Sequence, residues 1–132
     1  MESKKMKVGA CQILTTSDVE QSAEEVIQKI RDASENGIRI VSFPEGTLFG
    51  YCCEEKYWED ARLEWFEDAE KAISATCKEN SIAAIVGSAH KEDENWLNSL
   101  AIFDENGVLK HRYGKTFLAG EKWCINNRHY RK

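Results

Sequence analysis

The sequence predicts an α/β fold in which strands and crossover helices build a mainly parallel sheet, with an antiparallel hairpin at residues 96–113. Apolar strand-like runs at residues 7–14, 38–43 and 82–88 alternate with two long stretches of helical spacing. That alternation is typical of β–α–β units, whose strands run parallel. The hairpin is predicted by Asn106-Gly107 between two further strand-like runs, since Asn-Gly fits the tight turns of hairpins.

Length and composition fit one soluble domain spanning residues 1–132. The chain has 42% hydrophobic and 31% charged residues, a balance that supports a packed core and argues against disorder. No run approaches the roughly 18 apolar residues of a membrane-spanning helix, so no membrane partner is expected. The start, Met1 to Lys5, leads into a strand-like run and not into a signal peptide, which predicts a cytoplasmic protein.

The formal net charge of −5 is unevenly distributed along the chain. Residues 1–111 hold 12 basic and 22 acidic side chains, whereas residues 112–132 hold six basic and one acidic. Arg128, Arg131 and Lys132 in this basic end can attract an anionic partner, or they can form a solvated terminus. No recognition motif or aromatic stacking pattern accompanies them, so no nucleic-acid partner is predicted.

Two helices are predicted from apolar spacing. The first covers Val19–Asn36, begins after possible N-caps at residues 15–18 and ends at Asn36-Gly37. The second covers Ala61–Asn80. In both, apolar side chains recur every three or four residues, which places them on one helix face that a sheet must cover.

The strands are predicted from short apolar runs. They are, in chain order, Lys7–Leu14, Ile38–Phe43, Ile82–Ser88, Trp96–Phe103 and Val108–Tyr113. The first and third are continuous apolar runs, which predicts that they are buried. Residues 90–95 form a charged stretch that is predicted as a loop, and residues 54–60 are predicted as a polar and aromatic connection.

The second strand ends at Pro44, the only proline, and Glu45 follows at once. Proline fixes its own φ and donates no backbone hydrogen bond, so it ends the strand and holds the next side chain at the strand's carboxyl end. Sites in α/β sheets are built at that end. Glu45 is therefore a candidate site residue, with a solvated loop carboxylate as the alternative.

Glu45, Lys115 and a thiol are the side chains with useful chemistry. A carboxylate can take the proton of a thiol, and the thiolate can then attack an electron-poor carbon. A lysine can stabilise the negative charge that develops on the attacked group. Together these roles predict an acyl-transfer site.

Three segments resemble the nitrilase, or carbon–nitrogen hydrolase, superfamily. Val41–Tyr51 is similar to its glutamate motif, in which an acidic residue follows strand-Phe-Pro and precedes Gly-Tyr. Asn98–Gly107 followed by Tyr113–Leu118 resembles the hairpin that leads into the family's catalytic lysine, and Lys7–Ile13 resembles its opening strand. Phe117 departs from the pattern, because a histidine is usual at that place.

The resemblance implies a four-layer αββα sandwich, of which this chain corresponds to the first half, with both long helices on one face of the sheet. It implies Glu45 as the general base and Lys115 as the support of the tetrahedral intermediate. It also implies Glu121 as a second glutamate of the site, with a surface carboxylate as the alternative. The opposite sheet face is then expected to be exposed and to drive self-association.

The five cysteines are predicted to be reduced, because they are odd in number and the chain lacks export features. In the resembled family the nucleophilic cysteine follows the lysine at the end of a later strand, and the chain stops before that segment. No cysteine of this chain matches it. Cys11 and Cys77 are predicted as small buried hydrophobes, the pair Cys52-Cys53 follows the glutamate motif, and Cys124 follows the lysine by nine residues.

The resemblance implies a hydrolase acting on the carbon–nitrogen bond of a small amide, ureido compound or nitrile, with amides preferred. The alternative is a non-catalytic fragment or binding subunit of a nitrilase-like assembly, and a redox role for Cys52-Cys53 is a third hypothesis. No cofactor is predicted because no glycine-rich phosphate loop is present, and no metal because the histidines are scattered, at His90, His111 and His129. The family commonly builds oligomers, so a homo-oligomer is expected.

Overall fold

The computed structural model describes residues 5–125, so Arg128, His129, Arg131 and Lys132 lie outside the described part. Within it, the strands are β1 (Val8–Ala10), β2 (Ile40–Ser42), β3 (Ala83–Glu92), β4 (Asn95–Phe103) and β5 (Leu109–Gly114). The helices are α1 (Val19–Glu35), α2 (Glu55–Asp60) and α3 (Leu63–Asn80), and a 3₁₀ turn spans Thr47–Phe49.

The strands form one mixed sheet in the order β1-β2-β3-β4-β5. β1 pairs with β2 and β2 with β3 in parallel, because a long helix separates the members of each pair. β3 pairs with β4 and β4 with β5 antiparallel, since only short turns connect them. The predicted α/β fold, with parallel strands and a hairpin at residues 96–113, is confirmed.

The two long helices pack side by side against the sheet and bury its inner face. Helix α1 begins after Asp18, whose carboxylate accepts a hydrogen bond of 3.0 Å from the Gln21 backbone, and ends at Asn36. Helix α3 begins at Leu63, two residues later than its spacing predicts. No helix of residues 5–125 is long and apolar enough to cross a membrane.

The prediction of a buried first strand over residues 7–14 is wrong. β1 has only three residues and lies at the edge of the sheet, where it pairs with β2 alone. Val8 is 64% exposed and Leu14 is 93% exposed, the latter in the loop that leads to α1. An apolar run shows that a segment can be buried, but its position in the sheet decides whether neighbours cover it.

Two segments that were predicted as irregular connections contain a strand or a helix. The charged stretch at residues 90–95 is not a loop, because β3 continues to Glu92 and a two-residue turn leads into β4, with Glu92 paired to Asn95. Asp93 enables this turn by adopting a left-handed φ of 53°. The connection at residues 54–60 contains α2, which buries the Trp58 ring against Phe49.

The outer face of the sheet remains partly exposed within the described residues. Along one row of paired residues, Val41, Ala84 and Phe103 face the helices and are at most 2% exposed. In the next row the side chains point to the opposite face, and there Ile85 and Ile102 are both only partly buried. The inner face is therefore a closed core, and the outer face presents apolar side chains to solvent.

We expect this outer face to cause self-association, because uncovered apolar patches are removed from water by association. Sedimentation velocity should show a mass that rises with protein concentration, together with binding of an apolar dye. Leu100→Lys, on the outer face, should lower both signals. Val108→Lys, at an exposed position in the β4–β5 turn, serves as the matched control and should leave them unchanged. A monodisperse monomer without dye binding would contradict the expectation.

Candidate active site

The loop that carries Glu45 leaves β2 in a fixed direction. The Phe43 N–H donates to the carbonyl of Ile85 at 2.9 Å, which keeps the chain beside β3 up to the proline. After Glu45, Gly46 adopts a left-handed φ of 68°, and the Thr47 hydroxyl donates back to the Pro44 carbonyl at 2.5 Å. These bonds close a tight turn with the Glu45 side chain at its tip.

Gly87 on β3 lets this turn lie directly against the sheet. A Cβ atom at residue 87 would lie 2.3 Å from the Pro44 carbonyl oxygen and 2.6 Å from the Gly46 nitrogen. Both neighbours are backbone atoms, so no rotation of a side chain relieves the contact. The absence of a side chain at Gly87 is thus a condition for the position of Glu45.

The second half of the site comes from the β4–β5 hairpin. The Lys115 N–H donates to the Asn98 carbonyl at 2.7 Å, one step beyond the last paired residue of β5. The Asn98 side-chain amide donates to Glu45 Oε1 at 2.7 Å. The ladder therefore brings Lys115 and Asn98 together at the point where the glutamate turn arrives from β2.

Lys115 connects two carboxylates. Its Nζ donates to Glu45 Oε1 at 2.8 Å and also to Glu121 Oε1. The Glu45 side chain is 45% exposed, whereas those of Lys115 and Glu121 are 23% and 3% exposed. Glu121 is fixed further by the Ala119 N–H, which donates to Oε2 at 2.5 Å, and by the Tyr51 hydroxyl, which donates to Oε1 at 3.0 Å.

This arrangement determines the charges of the site. The hydrogen bond from Lys115 is the main reason that the pKa of Glu121 falls to about 2. Reciprocally, hydrogen bonds to Glu121 and then to Glu45 raise the pKa of Lys115 above its ordinary value. Near neutral pH, Lys115 is therefore protonated and positively charged, and Glu121 is ionised and negatively charged.

The segment after Lys115 is anchored by aromatic packing. The Trp123 ring stacks on Trp58 with centroids 3.8 Å apart, and it meets Phe49 edge to face at 5.1 Å. Phe49 belongs to the 3₁₀ turn just after Glu45, and Trp123 follows Glu121 by two residues. This packing joins the two loops that supply the carboxylates.

Burial opposes the activation of two thiols, Cys124 close to this site and Cys77 in the core. Cys124 is buried, and its electrostatic neighbours include Lys115 and Glu121, but burial raises its pKa to about 11. Burial likewise raises the pKa of Cys77 to about 12, and that residue lies in the core, as predicted. Cys52 is partly buried, and Cys53 is exposed with its Sγ near the Tyr51 carbonyl. A nucleophilic cysteine needs a lowered pKa, which burial opposes.

The chemistry of the site is that of a base beside a fixed cation. Both hydrogen bonds to Glu45 reach Oε1, so Oε2 is available to accept a proton. The Lys115 ammonium beside it can stabilise an anion. Among residues 5–125, no group of three or more histidine, cysteine or acidic side chains has the arrangement of a metal site.

The structure brings together all three candidate residues of the sequence analysis, Glu45, Lys115 and Glu121. It adds Asn98 and Tyr51, which the sequence analysis did not identify as site residues. Both lie inside the motifs that the resemblance used, which was the available signal. Their hydrogen bonds to the two carboxylates could not be derived from it, because those bonds depend on how the loops meet.

The described residues form an α/β sheet with a glutamate–lysine–glutamate cluster at one end, and comparison with known proteins identifies the family of the chain. The sequence model of the carbon–nitrogen hydrolase family matches residues 7–128. This chain therefore belongs to the carbon–nitrogen hydrolase family, the nitrilase superfamily, as its motifs predicted.

Curated relatives agree with this assignment. The chain is 30% identical over 120 residues to nitrilase homolog 2 of Dictyostelium discoideum, an alignment that covers 84% of this chain and 35% of the relative. It is 37% identical over 86 residues to the omega-amidase NIT2 of Bos taurus, covering 63% of this chain and 30% of the relative. The chain thus spans about a third of the length of these relatives.

Solved structures show the same fold. An amidase from Nesterenkonia sp. superposes with a TM-score of 0.77 at 21% identity, covering 92% of this chain and 46% of that one. A carbon–nitrogen hydrolase from Helicobacter pylori superposes with a TM-score of 0.81 at 18% identity, covering 93% and 46%. At these identities the likeness establishes the fold, and the chain spans just under half of each solved structure.

The lowered pKa of Glu121 predicts acid sensitivity. A carboxyl whose pKa is about 2 when folded and about 4.5 when unfolded stabilises the fold above the unfolded value, and this stabilisation is lost as the pH falls from 4.5 toward 2. Glu121→Gln should remove about 1–3 kcal/mol of unfolding free energy at neutral pH and flatten its decline below pH 4.5. Urea unfolding at several pH values measures both effects. Glu105→Gln, at an exposed turn position, is the control, and an equal slope in all three proteins would refute the assignment.

The close approach at Gly87 predicts an intolerant position. Gly87→Ala should lower the unfolding free energy by about 1–3 kcal/mol, because its Cβ overlaps backbone atoms of the glutamate turn. Gly9→Ala is the matched control, since its Cβ would meet only side-chain atoms of Ile38, the nearest being the terminal carbon at 2.9 Å, which can rotate away. Urea unfolding of both variants provides the measurement, and equal stabilities would show that the turn is free to move.

Proposed function

We propose that this polypeptide is part of an enzyme that hydrolyses the carbon–nitrogen bond of a small amide, with Glu45 as general base and Lys115 as the group that stabilises the tetrahedral intermediate. The observation that supports it most is the Lys115 ammonium, which is held at once by Glu45 and Glu121. Membership of the carbon–nitrogen hydrolase family supports the reaction class.

The proposed roles follow from the hydrogen bonds. Asn98 and Lys115 both donate to Glu45 Oε1, so they orient the carboxylate and leave Oε2 to take the proton of an attacking thiol. As the thiolate adds to the amide carbon, negative charge develops on the carbonyl oxygen. A lysine that stays protonated can stabilise that charge without giving up its own proton.

Glu121 is proposed as a positioning residue for Lys115. It is nearly inaccessible to solvent, and its two oxygens are already used by Lys115, Tyr51 and the Ala119 N–H. A buried carboxylate that accepts hydrogen bonds on both oxygens and whose pKa is lowered to about 2 is poorly suited to shuttle protons. Its proposed role is to keep the Lys115 ammonium in position and protonated.

We propose that the attacking thiol comes from polypeptide beyond the described residues. Cys77 and Cys124 are buried with raised pKa values, and burial raises the pKa of Cys11 as well. In one solved structure of the Nesterenkonia amidase, the acetamide moiety of fluoroacetamide is covalently attached at that enzyme's active-site cysteine. A thiol of this kind would complete the site formed by Glu45 and Lys115.

Amides are the proposed substrates because two matched proteins are named an omega-amidase and an amidase. For the 132-residue chain by itself we propose the alternative function, that of a non-catalytic fragment or binding subunit of a nitrilase-like assembly. The buried Cys124, whose pKa is raised to about 11, favours that alternative for the isolated chain. Reading the coding sequence beyond the Lys132 codon separates the two, since a strand ending in cysteine-acid-arginine there would supply the nucleophile.

Amide hydrolysis tests the assignment of the base. The chain alone should release no ammonia from fluoroacetamide or acetamide above the buffer rate. A version extended by the cysteine-bearing part of a matched amidase should release it, and Glu45→Gln in that version should lower kcat at least about 100-fold, in the range lost with a general base.

The controls separate chemistry from folding. Glu105→Gln in the extended protein should keep full activity, because this exposed residue lies in the β4–β5 turn. Circular dichroism should show that Glu45→Gln is folded. Full activity of Glu45→Gln would refute the base assignment, and ammonia release by the unextended chain would refute the external thiol.

A further inference from the structure

A second charged cluster lies on the helix side of the sheet, and the proposed reaction does not use it. Glu70 on α3 is 8% exposed and accepts two hydrogen bonds from Arg112 on β5, at 2.9 and 2.5 Å. The Ser88 hydroxyl on β3 donates to the same carboxylate at 2.6 Å, and Arg112 reaches the Ser99 hydroxyl on β4 at 3.5 Å. The Glu70–Arg112 pair thus links α3 to three strands, β3, β4 and β5.

Stability alone does not account for such a pair. Removing two charges from water costs much of what their attraction returns, and an apolar pair of similar volume is often as stable. A bidentate arginine–carboxylate contact instead gives geometric definition, because the planar guanidinium and carboxylate accept only one mutual orientation. A geometric role is therefore the more informative one to examine.

The location of the cluster in the ladder indicates what it defines. Ser88, Ser99 and Gly114 form the last complete row of paired residues across β3, β4 and β5. The next residue of β4 is Asn98, and Lys115 directly follows β5; the side chains of both reach Glu45. Ser88 and Ser99 of the charged cluster thus lie in the row next to Asn98 and Lys115, on the opposite face of the sheet, and Arg112 pairs with Ala101 two rows further back.

A bulge lies between the hairpin turn and the end of β5 that leads to Lys115. Ile102 pairs with His111 while Phe103 pairs with Leu109, so Lys110 is an extra residue in β5. A bulge of this kind locally interrupts the regular pairing of the two strands. A shift of one residue would move Lys115 to the other face, so contacts of β5 beyond the bulge can define its position in addition to the turn.

We propose that the Glu70–Arg112 ion pair is a positioning pair that sets the register of β5 so that Lys115 lies against Glu45 and Glu121. The catalytic importance of this role rests on the proposed function of Lys115. The positional role itself does not, because it concerns the hydrogen-bonded state of Lys115 in the folded chain.

Competitive acetylation of the full 132-residue chain tests this proposal. Acetic anhydride modifies only unprotonated amines, so mass spectrometry across about pH 7–10 reports how firmly each ammonium is held. Lys115 should react at least about 10-fold more slowly than the exposed Lys78. In Arg112→Met and in Glu70→Gln, Lys115 should react within about 3-fold of Lys78, because it is no longer held between the carboxylates.

Two further variants distinguish positioning from general stability. Arg112→Lys keeps the charge but lacks the planar fork, so it should not restore protection of Lys115. Ile73→Val loosens a fully buried position of α3 without touching the ion pair, and Lys115 should stay protected. Continued protection in both Arg112→Met and Glu70→Gln would overturn the proposal, as would equal loss in Ile73→Val. Since no turnover is measured, failure of the hydrolysis assay would not affect the result.

Discussion

The ammonium of Lys115 is the contact on which the site depends, because it donates hydrogen bonds to both carboxylates, Glu45 and Glu121. Glu45 and Glu121 come from loops that are far apart in the sequence, and without a cation between them their charges would repel. The pairing therefore sets the charges of the site and also joins its two loops. Its two products, an anionic Glu121 and a charged lysine, are each stabilised by the other.

The sheet contributes rigid backbone to this pairing. Gly87 admits the glutamate turn against β3, and the β4–β5 ladder extends to the backbone of Lys115. Trp123 then packs the following segment onto Phe49 beside the turn. Each of these contacts uses backbone atoms or large rings, which deform little. The side chains of Glu45, Lys115 and Glu121 are therefore kept in defined positions.

Local signals in the sequence were sufficient for much of the fold. Pro44 and the Asn106-Gly107 pair encode their backbone geometry directly, and they predicted the end of β2 and the hairpin correctly. The β3–β4 turn was missed because Asp93 adopts a left-handed conformation without being glycine. The exposure of β1 was missed because it depends on which strand lies at the edge of the sheet. For the site, the motifs identified the charged residues as candidates. The contact of Asn98 with Glu45 could not be predicted, because it depends on how β4 pairs with its neighbours.

The separation of the site residues along the chain has a consequence for folding. Glu45 and Lys115 are 70 positions apart, and Tyr51 is equally far from Glu121. Contacts between distant positions carry a larger loop-closure entropy cost than contacts between neighbours, which slows folding. During synthesis the glutamate turn therefore emerges long before its lysine. For that interval Glu45 is a carboxylate on a nascent chain, and it gains its hydrogen bonds from Asn98 and Lys115 only after the hairpin has been made.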